Sequence, residues 1–143
     1  WGHGPVIRGE FAFPCGCGQV GCVDTVGGAR GLERLHRARS GEGLGSEAIV
    51  AGWRAGDAAA SATMALWRDL VAGPLAMAVN LVGADVVPVG GGLSLAPGLV
   101  GYLDQAVRAG ILRKISGPLL VPAECGADAG LLGAALAGQA EWG

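Results

Sequence analysis

Cys15-Gly16-Cys17-Gly18-Gln19-Val20-Gly21-Cys22 is the most informative stretch of this 143-residue chain. It places three of the four cysteines within eight residues, and His3 lies twelve residues before the first of them. Zinc takes four nitrogen and sulfur ligands tetrahedrally, and a set of three cysteines and one histidine closes its coordination sphere. Gly16, Gly18 and Gly21 let the backbone fold back so that the sulfurs can converge. Disulfides are the competing use of such a cluster. Three neighbouring thiols cannot all pair, a Cys15–Cys17 bridge would be badly strained, and nothing points to secretion. His3, Cys15, Cys17 and Cys22 therefore read as ligands of a structural Zn²⁺.

The rest of the chain supports an ordinary folded domain around that loop. Half of the residues are hydrophobic (51%) and 15% are charged, which excludes disorder. The net charge of -2, with the basic residues scattered, gives no electrostatic footprint for nucleic acid. The 28 glycines are not periodic, so collagen is excluded. The apolar run from Leu70 to Val89 is interrupted by Gly73, Pro74, Asn80, Gly83, Asp85 and Pro88. It reads as a buried helix followed by a strand, not as a membrane span. No basic-then-apolar leader opens the sequence, and the expectation is a cytoplasmic protein away from the membrane.

Residues 1–28 form a loop-rich zone, and 29–143 an α/β lobe. Arg30 to Arg39 predicts a short helix. Ser46 is a candidate N-cap for a second helix running through Trp53. Asp57 can cap a long third one with Ala60, Met64, Trp67, Val71 and Leu75 near one face. Pro74 should kink or split it. Strands are expected at 85–89 and 118–122, and helices at 97–109 and 128–140. That alternation predicts parallel pairing through a helical crossover. Pro88 removes one ladder donor from the first strand. Gly90-Gly91-Gly92 follows that strand and precedes a helix, where a ligand could approach the backbone and the helix end would favour an anion. A plain tight turn is the alternative. Cys125 reads as a small buried thiol, His36 as a solvated surface histidine, and Trp53 and Trp67 as core packing.

Several strings resemble the ROK family (repressors, open reading frames, kinases), whose signature is Glu-x-Gly-His followed by Cys-x-Cys-Gly-x-x-Gly-Cys-x-Glu. Gly2 and His3 match the Gly-His, and Cys15, Cys17, Gly18, Gly21 and Cys22 match the loop. Asn80 to Gly92 and the string Gly126-Ala127-Asp128-Ala129-Gly130-Leu131-Leu132-Gly133-Ala134-Ala135 are similar to later family segments. The resemblance implies the C-terminal lobe of an actin-like, ribonuclease H-like ATPase fold and a hexose or N-acetylhexosamine kinase that uses ATP and Mg²⁺. It assigns His3, Cys15, Cys17 and Cys22 to zinc. His3 and Asp24 would face the sugar, and Gly90, Gly91 and Gly92 would lie against the adenosine. It also implies a homodimer.

The sequence departs from that pattern in three ways. Asp24 stands where the family carries Glu, so the carboxylate is one methylene shorter. The glutamate of Glu-x-Gly-His would precede Trp1. The family's Asp-x-Gly-Gly-Thr phosphate loop and its catalytic aspartate have no counterpart between Trp1 and Gly143. The chain therefore reads as a fragment with no catalytic base of its own. The effector domain of a sugar-responsive ROK repressor and a non-catalytic zinc module remain as alternatives, and the sequence before Trp1 separates them from a kinase.

Overall fold

A computed structural model describes residues 2–125 and 128–142. The first zone contains two single-turn 3₁₀ helices, Gly9–Phe11 and Val23–Thr25. Helices α1 (Ala29–Ser40), α2 (Ser46–Arg54) and α3 (Ala58–Val82) follow, then β1 (Val87–Val89), α4 (Leu99–Gly110), β2 (Leu120–Pro122) and α5 (Ala129–Trp142).

Helix α3 is the axis of the fold. It packs against α1, α2 and α4. Its buried residues Ala60, Met64, Trp67, Val71, Leu75 and Val79 recur every three or four positions, which puts them on one face of a helix. Asp57 caps it as the sequence predicts, its Oδ1 accepting the Ala60 N–H at 2.7 Å. The cap at α2 differs from expectation. Ser46 is the first helical residue, and Gly45 is the N-cap without a side-chain bond. Ser46 instead gives its N–H to Glu33 Oε1 at 2.9 Å, so a helix α1 carboxylate supplies the acceptor. Pro74 does not split α3. Gly73, which precedes it, has no Cβ to collide with the proline ring, and this relieves the restriction proline imposes on its predecessor.

Helix α3 is long and apolar enough to cross a membrane by length and composition alone. Its packing against three other helices is that of a core element.

The sheet has two parallel strands in the register Val87–Leu120, Pro88–Val121 and Val89–Pro122, joined through α4 as expected. Val87 N–H donates to Leu119 O at 2.7 Å, and Val89 O accepts from Ala123 N–H at 2.9 Å. Residues 87 and 89 thus face β2, and alternation turns the missing donor of Pro88 to the other edge. Pro88 therefore costs this pairing nothing. Buried Asp104 on α4 fixes the start of β2 by accepting the N–H groups of Leu119 and Leu120 at 2.9 and 2.8 Å.

Three further residues or turns differ from expectation. His36 is fully buried, not solvated. It lies one helical turn beyond Leu32 on the face that packs against α3, and its Nδ1 is 2.9 Å from Thr63 Oγ1. Thr63 donates its proton to Ala59 O, so His36 Nδ1 must be the donor in that pair. Cys125 is exposed, not buried: it lies three residues beyond the end of β2, where no core element among the described residues covers it. The glycine turn does not feed directly into α4. A 3₁₀ turn, Gly92–Leu95, intervenes, and α4 starts at Leu99. Trp67 is buried as expected, and Trp53 is half-buried against Tyr102, with ring centroids 4.9 Å apart. Gly126 and Ala127 of the last family-like string lie outside the described residues.

Candidate functional site: a Cys3His loop at the edge of a cleft

The loop between Phe13 and Cys22 is a short hairpin. Pro14 and Val20 form an antiparallel bridge. Cys15 N–H donates to Gln19 O at 2.8 Å, and Gly18 N–H to Cys15 O at 3.0 Å. Gly18 and Gly21 have φ of +87° and +82°, where side chains are strained. Gly21 has a second constraint, since a Cβ there would run into the Ile7 carbonyl. The hairpin is tied to the incoming segment because Gly21 N–H donates to Phe13 O and Ile7 N–H to Gly21 O. Arg34 on α1 braces it from outside, stacked over Phe13 at 5.3 Å and bonded to Thr25 O at 3.3 Å.

These turns bring His3, Cys15, Cys17 and Cys22 together, with one ligand atom of each within 4.8 Å of all the others. Cys17 Sγ and Cys22 Sγ are 3.7 Å apart, and His3 Nδ1 is 3.5 Å from Cys15 Sγ. A tetrahedral zinc with ordinary bond lengths would separate two sulfurs by about 3.8 Å and a sulfur and a nitrogen by about 3.5 Å. The donor set and its spacing therefore fit a metal of that kind. All four cysteines are free thiols. The nearest histidine nitrogen is Nδ1, so Nε2 is left for another partner.

The thiols differ in environment. The Gln19 backbone, followed by the Cys15 and Cys22 thiols, holds the exposed Cys17 thiol below its usual range. Cys22 is fully buried. The Gly4 N–H, 3.3 Å from its sulfur, lowers its pKa. Burial and the neighbouring Cys17 and Cys15 sulfurs outweigh that and leave it raised.

Asp24 follows directly. Its N–H donates to Gly2 O at 3.0 Å, and its Oδ2 is 3.8 Å from Cys15 Sγ. Asp24 thus touches the start of the cysteine loop with its carboxylate and the incoming segment with its backbone. It also lines a cleft of about 450 Å³ whose walls include Gly2, Gly27, Gly28, Trp67 and the turn Gly90-Gly91-Gly92. Trp67 Nε1–H fixes the near wall by donating to Gly27 O at 3.3 Å. On the far wall Gly91 has φ +92°, and Ser94 closes the turn by donating both its N–H and its Oγ–H to Gly91 O. The end of α4 does not adjoin the turn to favour an anion, because α4 begins seven residues beyond Gly92. What remains is a backbone wall without side chains.

A second hollow of about 530 Å³ lies between α2 and Gly92–Leu95, and shares Ala29, Gly92 and Leu93 with the first. Val50 and Ala51 give it an apolar wall, with Glu47 and Arg54 beside them. Sequence reasoning missed this contribution of α2. The signal was faint, since Glu47, Val50 and Arg54 simply recur at helical spacing on a short helix.

A cysteine-rich loop is thus set against an α/β lobe, and Asp24 beside it lines the same hollow as a glycine turn distant in sequence. Residues 1–140 match the sequence profile of the ROK family, and the chain belongs to that family. It is 36% identical over 123 residues to N-acetyl-D-glucosamine kinase of Pasteurella multocida, a match covering 86% of this chain and 40% of that protein. It is 31% identical to N-acetylgalactosamine kinase AgaK of Shewanella sp., covering 89% and 41%. Among solved structures, the ROK hexokinase of Thermus thermophilus superposes with a TM-score of 0.76 at 34% identity, covering 95% of this chain and 46% of that one. The chain spans about two fifths of the curated relatives it matches.

Proposed function

We propose that this chain is the C-terminal lobe of an actin-like, ATP-dependent kinase acting on a hexose or N-acetylhexosamine, and that it contributes sugar and nucleotide contacts but no catalytic base. The observation that carries the reading is the shared cleft. Asp24 and Gly90-Gly91-Gly92, far apart in sequence, line one hollow. The kinases of N-acetylated hexosamines among its relatives support the substrate class.

The division of labour follows from chemistry. His3, Cys15, Cys17 and Cys22 would hold zinc in a closed site. When bound, the metal supplies rigidity to the loop; four protein ligands leave no open position for activating a hydroxyl. Asp24 accepts hydrogen bonds from sugar hydroxyls, and His3 offers Nε2 beside it. The Gly90–Gly92 turn lets the nucleotide approach the backbone, and the adjoining hollow against α2 has the size and apolar wall to seat a base. Residues 1–28 act as the metal loop and 29–143 as the lobe behind it. A sugar hydroxyl still needs a carboxylate to take its proton, and the phosphoryl group needs Mg²⁺ and a phosphate loop. Among the described residues, three aspartates already have structural partners: Asp57 caps α3, Asp104 holds β2, and Asp85 pairs with Arg113 at 2.8 Å on the surface. Helix α5 buries none of its residues and is apolar nearly all round. Such a helix needs a partner surface, in keeping with a lobe of a larger, dimeric protein of the cytoplasm.

The test is a calorimetric titration of the chain with N-acetylglucosamine, glucose and ADP, beside a coupled assay of ADP release. The expected result is weak sugar binding that Asp24→Asn removes, ADP binding that this variant leaves unchanged, and no turnover. Turnover close to that of an ordinary sugar kinase would place a base within residues 1–143 and overturn the proposal.

A further inference from the structure

The four converging side chains are not equivalent. Cys15 sits with His3 and Asp24, at 3.5 and 3.8 Å. Cys17 and Cys22 form the other half, with their sulfurs 3.7 Å apart. That closeness is built into the hairpin by the Pro14–Val20 bridge and the left-handed Gly18 and Gly21 between the two cysteines. The pair is also asymmetric in access. Cys17 is exposed at the tip, while Cys22 is fully buried behind it and held by the Gly4 N–H. A small oxidant in solution meets Cys17 first and leaves it within reach of a second sulfur.

We propose that Cys17 and Cys22 are a peroxide-sensitive pair whose oxidation to a disulfide ejects the metal and releases the loop that carries Asp24. This rests on the reading of the four side chains as zinc ligands. The oxidant is hydrogen peroxide. The Cys17 sulfur attacks one peroxide oxygen, the O–O bond breaks, hydroxide leaves, and a sulfenic acid forms. The Cys22 sulfur then attacks the Cys17 sulfur, the S–O bond breaks, and a second hydroxide leaves as the S–S bond forms. Two thiolates lose two electrons, the peroxide gains them, and solvent protonates both hydroxides to water. His3 and Cys15 alone remain as ligands. Two ligands cannot close a tetrahedral site, so the metal dissociates and the loop loses its centre. A dithiol restores both thiols, which makes the step reversible. Cys15 is a poor substitute partner because a Cys15–Cys17 bridge is strained across a single residue.

The experiment uses the Cys125→Ser chain, which removes the other exposed thiol. Metal analysis first establishes the starting zinc content. A few equivalents of hydrogen peroxide are then added while a chromogenic chelator follows zinc, a thiol reagent counts free thiols, and peptide mapping locates the disulfide. One zinc and two thiols per chain should be lost together. The map should show Cys17 joined to Cys22, and dithiothreitol with zinc should return the starting material. Three results overturn the proposal: zinc retained after oxidation, a disulfide that includes Cys15, or irreversible oxidation of a single cysteine. A preparation without zinc at the outset overturns the metal reading itself, and the switch with it.

Discussion

The cysteine loop and the helical body behind it reach order by different routes. Between Gly2 and Gly28 few side chains are buried: Ile7, Cys22, Val23, Thr25 and Val26 make up most of them. The loop is shaped by one bridge, a handful of turn hydrogen bonds and glycines at positive φ. From α1 to α4 the order comes from apolar faces, with Leu32, Leu35, Ile49, Met64, Leu99 and Val107 almost wholly removed from water. A segment with so little apolar burial cannot offset its conformational entropy alone. A metal held by the four converging side chains would supply what is missing. The loop should therefore depend on metal and the body should not.

Metal removal breaks the comparison most sharply. Structural zinc contributes about 10–16 kcal/mol in isolated zinc fingers, more than the burial within this loop can offset. Chelation, or Cys22→Ser, should abolish amide protection through residues 2–27 while α1 to α4 keep theirs in hydrogen exchange. Global unfolding on chelation would show that the two regions are one cooperative unit.

The converse comes from the body. Leu35→Ala removes a fully buried side chain between α1 and its neighbours. It should cost about 2–5 kcal/mol in denaturant unfolding and leave one zinc per chain in the fraction that stays folded. Loss of zinc from folded Leu35→Ala protein would tie the loop to the core more closely than the contacts suggest.

Gly21→Ala probes the loop without touching a ligand. A side chain there is strained at φ +82° and meets the Ile7 carbonyl. The left-handed conformation alone costs about 1–2 kcal/mol, and the collision adds to it. Zinc should exchange faster into a competing chelator while the melting temperature of the helices stays put. The smallest effect belongs to Asp57→Ala, which removes the α3 cap. A loss of about 1 kcal/mol is expected, with zinc exchange unchanged.

How much could be read from the sequence follows the same divide. The cluster of His3, Cys15, Cys17 and Cys22 was legible because three of its four members are nearly adjacent and few residue types suit a zinc site. The long helix was legible from the spacing of Ala60, Met64, Trp67, Val71 and Leu75 and from Asp57 before it. Parallel pairing followed from the alternation of elements. What escaped depends on contacts between segments distant in sequence. His36 lies among arginines, yet its spacing from Leu32 places it on the buried face, where Thr63 receives it. Cys125 looked buried because thiols are usually buried and it follows an apolar run, but among the described residues no element packs over it beyond Pro122. The N-cap of α2 shifted by one residue because Glu33, on another helix, takes the Ser46 N–H. The cleft was legible only through the family resemblance, since nothing local says that Asp24 and Gly91 line one hollow or that α2 extends it.

The most direct test of the central claim is zinc K-edge X-ray absorption on the purified chain, with its metal content measured alongside. The expected result is one zinc per chain, with three sulfurs at about 2.3 Å and one nitrogen at about 2.0–2.1 Å. A zinc-free folded protein, or a first shell dominated by oxygen, would contradict it.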